Sequence, residues 1–474
     1  MLRWLPIRQT ENLEQKMPHD LSRRNFIART SVSAALVATT GTVCRAQAFS
    51  NANDRPRIAA VGTGSRWSQR ATGLNGNYGS AKEFPRYGDI VAVCDADADR
   101  RKRAAALVKD WSGTAAEVVA DYRAIIDRDD VDVVHISTPE HWHAKIAIEA
   151  MLSGKDVYCE KPMTLTIAEG RLMSEVCRKT GQVVQIGTQQ RSLRTCLDAI
   201  AVIRDGRIGK LTHVTCSVGG APTSPELPVV APPKSLDWNL WQGPTPDVKF
   251  RRQDGNYSET KGWSRGHYEF RWWYEYSGGK LTDWGAHHVD IATWAMGKTN
   301  TGPISVDPVM VKHPVPFKNG YPTLDNQFNT ATAFLINAKY ADGMQLTIRH
   351  DLDNGILFEG TEGRIFVNRG RLRGKPVEDL QSNPLPDGAV EKVYKGKKLT
   401  SHFRNFFDAV AARQEPVSDV FSHHRALSTC HLASIAARLG RKIQWDPKKE
   451  TIIGDTEAQT FISRDKRKGF EIEV

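Results

Sequence analysis

The sequence predicts an α/β protein: a first half built on a parallel sheet, then an α+β half around a mostly antiparallel open sheet. Three observations predict it. Short buried strands alternate with helices from Arg57 to Ile186, the rhythm of a parallel sheet covered on both faces. After about residue 188 the strands are instead separated by turn signals such as Asp342-Gly343 and Thr361-Glu362-Gly363, which join antiparallel neighbours. At 474 residues the chain also exceeds one ordinary core, so two domains are expected.

Residues 1–48 read as a targeting segment. Ser22-Arg23-Arg24-Asn25-Phe26-Ile27 resembles the twin-arginine export signal of bacteria, a modestly apolar run follows, and Ala46-Gln47-Ala48 offers small residues for cleavage. The expectation is export to the periplasm, with Met1 or Met17 as the start. The apolar run is too short and too polar to span a bilayer, and Cys44 lacks a lipoprotein cleavage box, so no stable membrane anchor is expected. Residues 49–56 form a polar linker.

Residues 57–187 make the first domain. The strand Ile58–Val61 ends at Gly62-Thr63-Gly64, and Ile90–Cys94 ends at Asp95. A helix over 97–109 follows. Val131–Ile136 runs into Thr138-Pro139, with a helix from His141 to Leu152. Val157–Cys159 runs into Glu160-Lys161-Pro162, a helix covers 166–180, and Val183–Ile186 closes the series. Residues 188–474 make the second domain: a helix near 193–205, a strand over 212–218 and an irregular stretch from 219 to 270. Strands near 329–337, 343–350, 355–359 and 364–368 follow, then helices at about 401–413 and 423–439.

Composition narrows the function. The formal charge is +11, of which residues 1–48 carry +4; the other basic residues are scattered without interleaved aromatics, so no nucleic-acid partner is expected. None of the seven cysteines forms a C-x-x-C pair, so neither a disulfide framework nor a zinc site is expected.

The strand ends carry the chemistry. In Gly62-Thr63-Gly64 the glycines let backbone approach a pyrophosphate at a helix amino terminus, although Trp67 stands where a third glycine is usual. Asp95 ends the second strand, where an acid accepts hydrogen bonds from an adenosine ribose. It favours NAD over NADP, with Arg100 and Arg101 leaving NADP open. Thr138, Pro139 and His143 lie on the same sheet edge, as do Glu160 and Lys161. A pair of histidines at 141 and 143 invites a metal, but no cysteine or acid has ligand spacing, and capping or cofactor contact is the expected role. In the second half, Asp283 and His287 are four residues apart and share a face on a helical turn. There an acid can orient an imidazole as a proton acceptor, with Asp290 as a further orienting acid. Seven of the twelve tryptophans fall between Trp238 and Trp294. Some are expected to line a carbohydrate cleft and more than half to pack under the long loop.

These elements, in this order, resemble the Gfo/Idh/MocA oxidoreductase family over roughly residues 57–440. The resemblance implies an NAD(P)-binding Rossmann domain over 57–187 and catalysis by Lys161, Asp283 and His287. Gly62, Gly64, Asp95, Thr138, Pro139, His143, Glu160 and Lys161 then form the cofactor side. It implies hydride transfer between a small carbohydrate, polyol or sugar derivative and a tightly bound nicotinamide, and a homodimer or homotetramer. Glycoside cleavage through transient oxidation is the rival chemistry. A non-catalytic sugar sensor is disfavoured because the lysine and histidine are both present.

Overall fold

A computed structural model of the chain describes residues 55–68, 80–257 and 261–474. The expected export segment, Cys44 and most of the expected linker lie outside these residues. Six parallel strands form the first sheet: β1 (Arg57–Val61), β2 (Asp89–Cys94), β3 (Glu117–Val119), β4 (Val133–Ile136), β5 (Asp156–Cys159) and β6 (Val184–Ile186), in the order β3-β2-β1-β4-β5-β6. The order reverses between β1 and β4, which opens a crevice at the carboxyl ends of the strands.

Register decides what faces that crevice. Val61 pairs with Cys94 and with Ile136, and Ile136 pairs with Cys159. The four strands therefore end level, and the next residues (Gly62, Asp95, Ser137 and Glu160) share one edge. Local signals fix the helices between them. Asp97 caps Ala98–Ser112 by accepting from Asp99 N at 3.0 Å, and Gly113 ends it at φ 72°. Thr166 and Glu169 form a reciprocal capping box at the start of Ile167–Thr180.

The second sheet has nine strands around a central β7 (Leu211–Ser217). On one side lie Gly355–Gly360, Arg364–Val367 and Leu372–Arg373, all antiparallel. On the other side Gln345–Arg349 is parallel to β7, and Ala333–Lys339, Ser305–Lys312, Ile443–Asp446 and Thr451–Ile452 follow antiparallel. Burial alternates along Ala333–Lys339, so one face is packed and the other open. The packed face carries the helices Gly285–Ala295 and Val420–Leu439.

Two elements of the second half also serve the first. Val420–Leu439 packs on Ile167–Thr180, and its His424 ring lies so close to Gly170 that an added Cβ would sit 2.4 Å from it. Phe403, Phe406 and Phe407 of the helix His402–Ala412 pack with Phe84 and with Tyr158 of the first sheet, and Phe84 in turn stacks on His135 of the same sheet. Among the described residues no helix is long and apolar enough to cross a membrane.

Candidate active site and cofactor cleft

A cavity of about 720 Å³ opens at the level strand ends and is closed by the second half. Gly62 (φ 83°) is required there. Its backbone lies so near the turn after β4 that a Cβ would be 2.5 Å from Thr138 N. Thr63 N donates to Asp95 Oδ2 at 2.8 Å, and Asp97 N donates to Asp95 Oδ1 at 3.0 Å. Arg100 reaches back over Gly64, with Nη1 2.5 Å from where a Cβ would be. Trp67 fills the third-glycine position with a fully buried ring beside Trp111, so bulk replaces close approach there.

Glu160 is buried and accepts from Arg66 Nη2 at 2.7 Å and from Gln189 Nε2 at 3.3 Å. Burial alone would raise its pKa, but the Arg66 guanidinium outweighs it and holds the carboxyl below its ordinary value. Glu160 Oε2 and Thr138 Oγ1 are buried without a hydrogen-bond partner. These orphaned atoms, the close glycine turn and Asp95 suit a dinucleotide laid along the edge: Gly62–Gly64 at the pyrophosphate, Asp95 at the adenosine ribose, and Thr138, Pro139, Glu160 and Lys161 toward the nicotinamide.

His143 lines the cavity at the cofactor edge, between two loops. Nδ1 faces Pro162 O at 2.6 Å and Nε2 faces Thr138 O at 2.8 Å. A neutral imidazole has one N–H, so the ring donates to one of these carbonyls and lies against the other, between the two loops. His141 likewise gives Nε2 to Trp241 O at 2.9 Å, and Trp142 Nε1 donates to the same carbonyl at 3.0 Å. The irregular stretch 219–270 is thereby tied over the cofactor edge, with His267 Nε2 bonded to Asp97 Oδ2 at 3.0 Å.

The substrate end also departs from the expected pairing. Asp283 does not hold His287; its carboxylate is taken by Lys161 Nζ, which also donates to the Asp283 carbonyl at 3.0 Å. Arg271 Nε lies 4.0 Å from the same carboxylate. Burial would raise the Asp283 pKa, but Lys161 and Arg271 drive it well below the usual carboxylate range. Asp290 does not reach His287 either. It forms a two-point pair with the fully buried Arg191, at 2.7 and 2.6 Å, and accepts from His423 Nδ1 at 3.1 Å. His287 lines the cavity, and its buried Nδ1 has no hydrogen-bond partner. Burial first, then Lys161 and Arg369, pushes its pKa well below the ordinary histidine value, so the ring is neutral at pH 7.

Glu140 is the group that sequence reasoning missed, although it sits inside Thr138-Pro139-Glu140-His141-Trp142-His143. It is 2% exposed, accepts from Ser277 Oγ at 2.7 Å and lines the cavity behind Asp283. Burial raises its pKa to about 8, with Asp283 adding to the rise. Arg66, Arg271 and Arg369 were equally unread, because nothing in their local sequence marks them as facing a cleft. Of the seven clustered tryptophans, Trp241 and Trp284 line the cavity. Trp272, Trp273 and Trp294 are buried, and Trp238 and Trp263 pack in the aromatic cluster beneath the long loop.

Residues 56–188 match the family model for the NAD-binding Rossmann fold of an oxidoreductase family, and residues 222–472 match that family's C-terminal alpha/beta domain. A glycosyl hydrolase family 109 protein of Shewanella baltica is 28% identical over 217 residues, 41% of this chain and 45% of that protein. The chain thus aligns with less than half the length of this curated relative. The WlbA dehydrogenase of Chromobacterium violaceum, in complex with NADH and UDP-GlcNAcA, has a TM-score of 0.57 at 17% identity, covering 84% of this chain and 97% of that one. The aldose-aldose oxidoreductase of Caulobacter crescentus has a TM-score of 0.52 at 18% identity, covering 82% of this chain and 100% of that one. At these identities the structural likeness is one of fold. The second family model alone spans more than half the sequence, and the chain belongs to the Gfo/Idh/MocA oxidoreductase family.

Proposed function

We propose that the protein is an NAD-dependent oxidoreductase that moves hydride between the nicotinamide and a carbon of a sugar, polyol or sugar derivative. The observation that carries this reading is the meeting of Lys161, at the end of β5, with Asp283 and His287 in one cavity at the strand-order reversal. When bound, NAD supplies the redox chemistry. Asp283 holds the Lys161 ammonium at the cavity wall, where it donates a hydrogen bond to the substrate oxygen and stabilises charge developing there. His287, neutral and lining the cavity, accepts the hydroxyl proton during oxidation and returns it in reduction. Asp95, offering acceptors at the β2 end, supports NAD over NADP. Lys161→Ala should lose at least about a hundredfold in turnover yet keep its nucleotide. Near-normal rates on the true substrate would end this assignment.

A second reading is glycoside cleavage assisted by bound NAD, supported by the family 109 name of the curated relatives. The same two residues would serve it by moving protons at neighbouring ring carbons. Sugar product released with no net change in nucleotide redox state separates the two. The Arg23-Arg24 segment supports export through the twin-arginine route with the cofactor already in place. The open face of the second sheet supports a dimer or tetramer. Complete loss of nucleotide from the mature protein on dialysis would contradict the first of these, and a monomer by light scattering the second.

A further inference from the structure

The second half roofs the adenosine end of the cleft. From β1 through β2 to β3 the strand order leads away from the pyrophosphate turn and past Asp95. There Ala96, Ala120, Tyr122, Trp142, Leu240 and Trp241 line the cavity, an apolar end that suits a purine. Leu240 and Trp241 belong to the short helix Trp238–Gln242. Backbone pairing brings that helix to the sheet edge: Asp237 N donates to Ala96 O at 3.1 Å, and Ala98 N donates to Ser235 O at 2.8 Å. Gly243, which ends the helix, presses on the Trp142 ring so closely that a Cβ would sit 2.0 Å from Cζ2. Among the described residues, this cover bonds the helix Glu140–Leu152 through one carbonyl alone, that of Trp241.

A second chain segment crosses the outside of that contact. Residues 461–471 belong to no helix or strand. Arg467 grips the cover: Nε donates to Gly243 O at 2.9 Å, Nη1 to Asn239 Oδ1 at 2.7 Å and Nη2 to Asn239 O at 2.7 Å, while its backbone N donates to Pro244 O at 3.1 Å. Phe470 grips the first domain. Its ring stands edge-on to Trp142 with centres 5.6 Å apart, and the Arg467 and Arg123 guanidiniums lie 4.7 and 5.8 Å from its own centre. Lys145, on the same helix as Trp142, donates to Glu471 O at 2.6 Å. The segment therefore joins the cover to the wall it closes against. Held mainly by side chains, it can open locally without global unfolding.

We propose that Arg467 and Phe470 are positioning residues for the cofactor: they strap the turn 238–244 shut over the adenosine half of bound NAD, so that nucleotide enters and leaves only when the strap lets go. The inference rests on nucleotide occupying the cleft and not on the catalytic roles proposed above. Protein loaded with NADH is mixed with excess NAD, and release is followed by the fluorescence of the reduced nucleotide. Release should be about tenfold or more faster in Arg467→Ala and in Phe470→Ala, with Arg467→Lys in between. Arg441→Ala cuts three side-chain bonds to Asp455 and Glu457 away from the cleft and should leave release unchanged. A loosened strap also eases entry, so NADH uptake by the stripped variants should be as fast as in wild type or faster. Release within about twofold of wild type in both alanine variants would overturn the inference. So would an equal acceleration in Arg441→Ala, or faster release with slower uptake, which marks a damaged pocket. Both rates are read without turnover. Failure of the hydride-transfer reading therefore leaves the strap standing, whereas a wild type that binds no NADH would sink the cofactor assignment and the strap together.

Discussion

Glu140 offers the sharpest test of the site's electrostatics. Folded, its carboxyl keeps its proton up to about pH 8; unfolded, it releases it near the ordinary 4.5. The sign follows from linkage. The folded form binds the extra proton, so the associated stability is fully present below about pH 4.5 and is lost as pH rises to about 8. The loss runs at about 1.4 kcal/mol per pH unit, which makes about 3 kcal/mol between about pH 5.5 and the plateau beyond about pH 8. Asp283, with its pKa depressed, acts in the other direction. Its stabilising term is present above about 3.8 and is lost only as pH falls below that value, outside the window. Glu140→Gln keeps the shape and an oxygen for Ser277 but has no proton to lose. Urea unfolding of wild type and variant, followed by tryptophan fluorescence, should show the variant gaining about 3 kcal/mol on wild type from about pH 5.5 to about 8.5. A stability difference that stays constant within about 1 kcal/mol over that range would refute the claim that this carboxyl is buried and protonated.

Other perturbations read other parts of the site. Gly62→Ala forces a Cβ to within 2.5 Å of Thr138 N at φ 83°, so the nucleotide released on denaturation should fall to near zero while the fold persists by circular dichroism. Asp290→Asn leaves Arg191 buried beside a neutral amide and should cost about 3–5 kcal/mol in unfolding free energy. For His287, the acid limb of the rate profile should lie well below the ordinary histidine pKa of 6.5. Because Arg369 depresses that pKa, Arg369→Gln should move the limb toward higher pH, and an unmoved limb would remove His287 from proton transfer.

Much of the first half could be read from the sequence because its strands announce their own ends. An apolar run that stops at a glycine, an acid or a proline leaves few choices for where the sheet edge lies, and parallel register then places Gly62, Asp95, Thr138 and Glu160 together. The second half was less legible. Ser305–Lys312 pairs on both sides, yet Pro308 interrupts its pattern, and the register shifts between Pro308 and Met310. A proline within a strand pattern reads as a break, and here a bulge accommodates it. The parallel pairing of β7 with Gln345–Arg349 carries no local signal, since it depends on strands more than 100 residues apart meeting side by side. Likewise, Phe403, Phe406 and Phe407 read as an amphipathic face without saying which sheet it covers.

The acid–histidine spacing shows where local pattern gives way to tertiary charge. Four residues do put Asp283 and His287 on neighbouring turns, but a shared face confers only proximity. What a buried carboxylate bonds is set by the strongest compensating charge in reach, and an ammonium outbids a neutral imidazole. Once β5 delivers Lys161 to that point, Asp283 is taken. The same cation disfavours protonation of His287. One lysine therefore sets both halves of the proposed chemistry. It is held in place as a donor by Asp283, and it adds to the burial that keeps the imidazole neutral as an acceptor. Removing Asp283 should accordingly do more than loosen a histidine. With the carboxylate gone, Lys161 would face Arg271 and the other cations unpaired, and its ammonium would become the costly group. Asp283→Asn is then expected to resemble Lys161→Ala in turnover and not a mild orienting defect. A loss of less than about tenfold would return the acid to the role that spacing alone gave it.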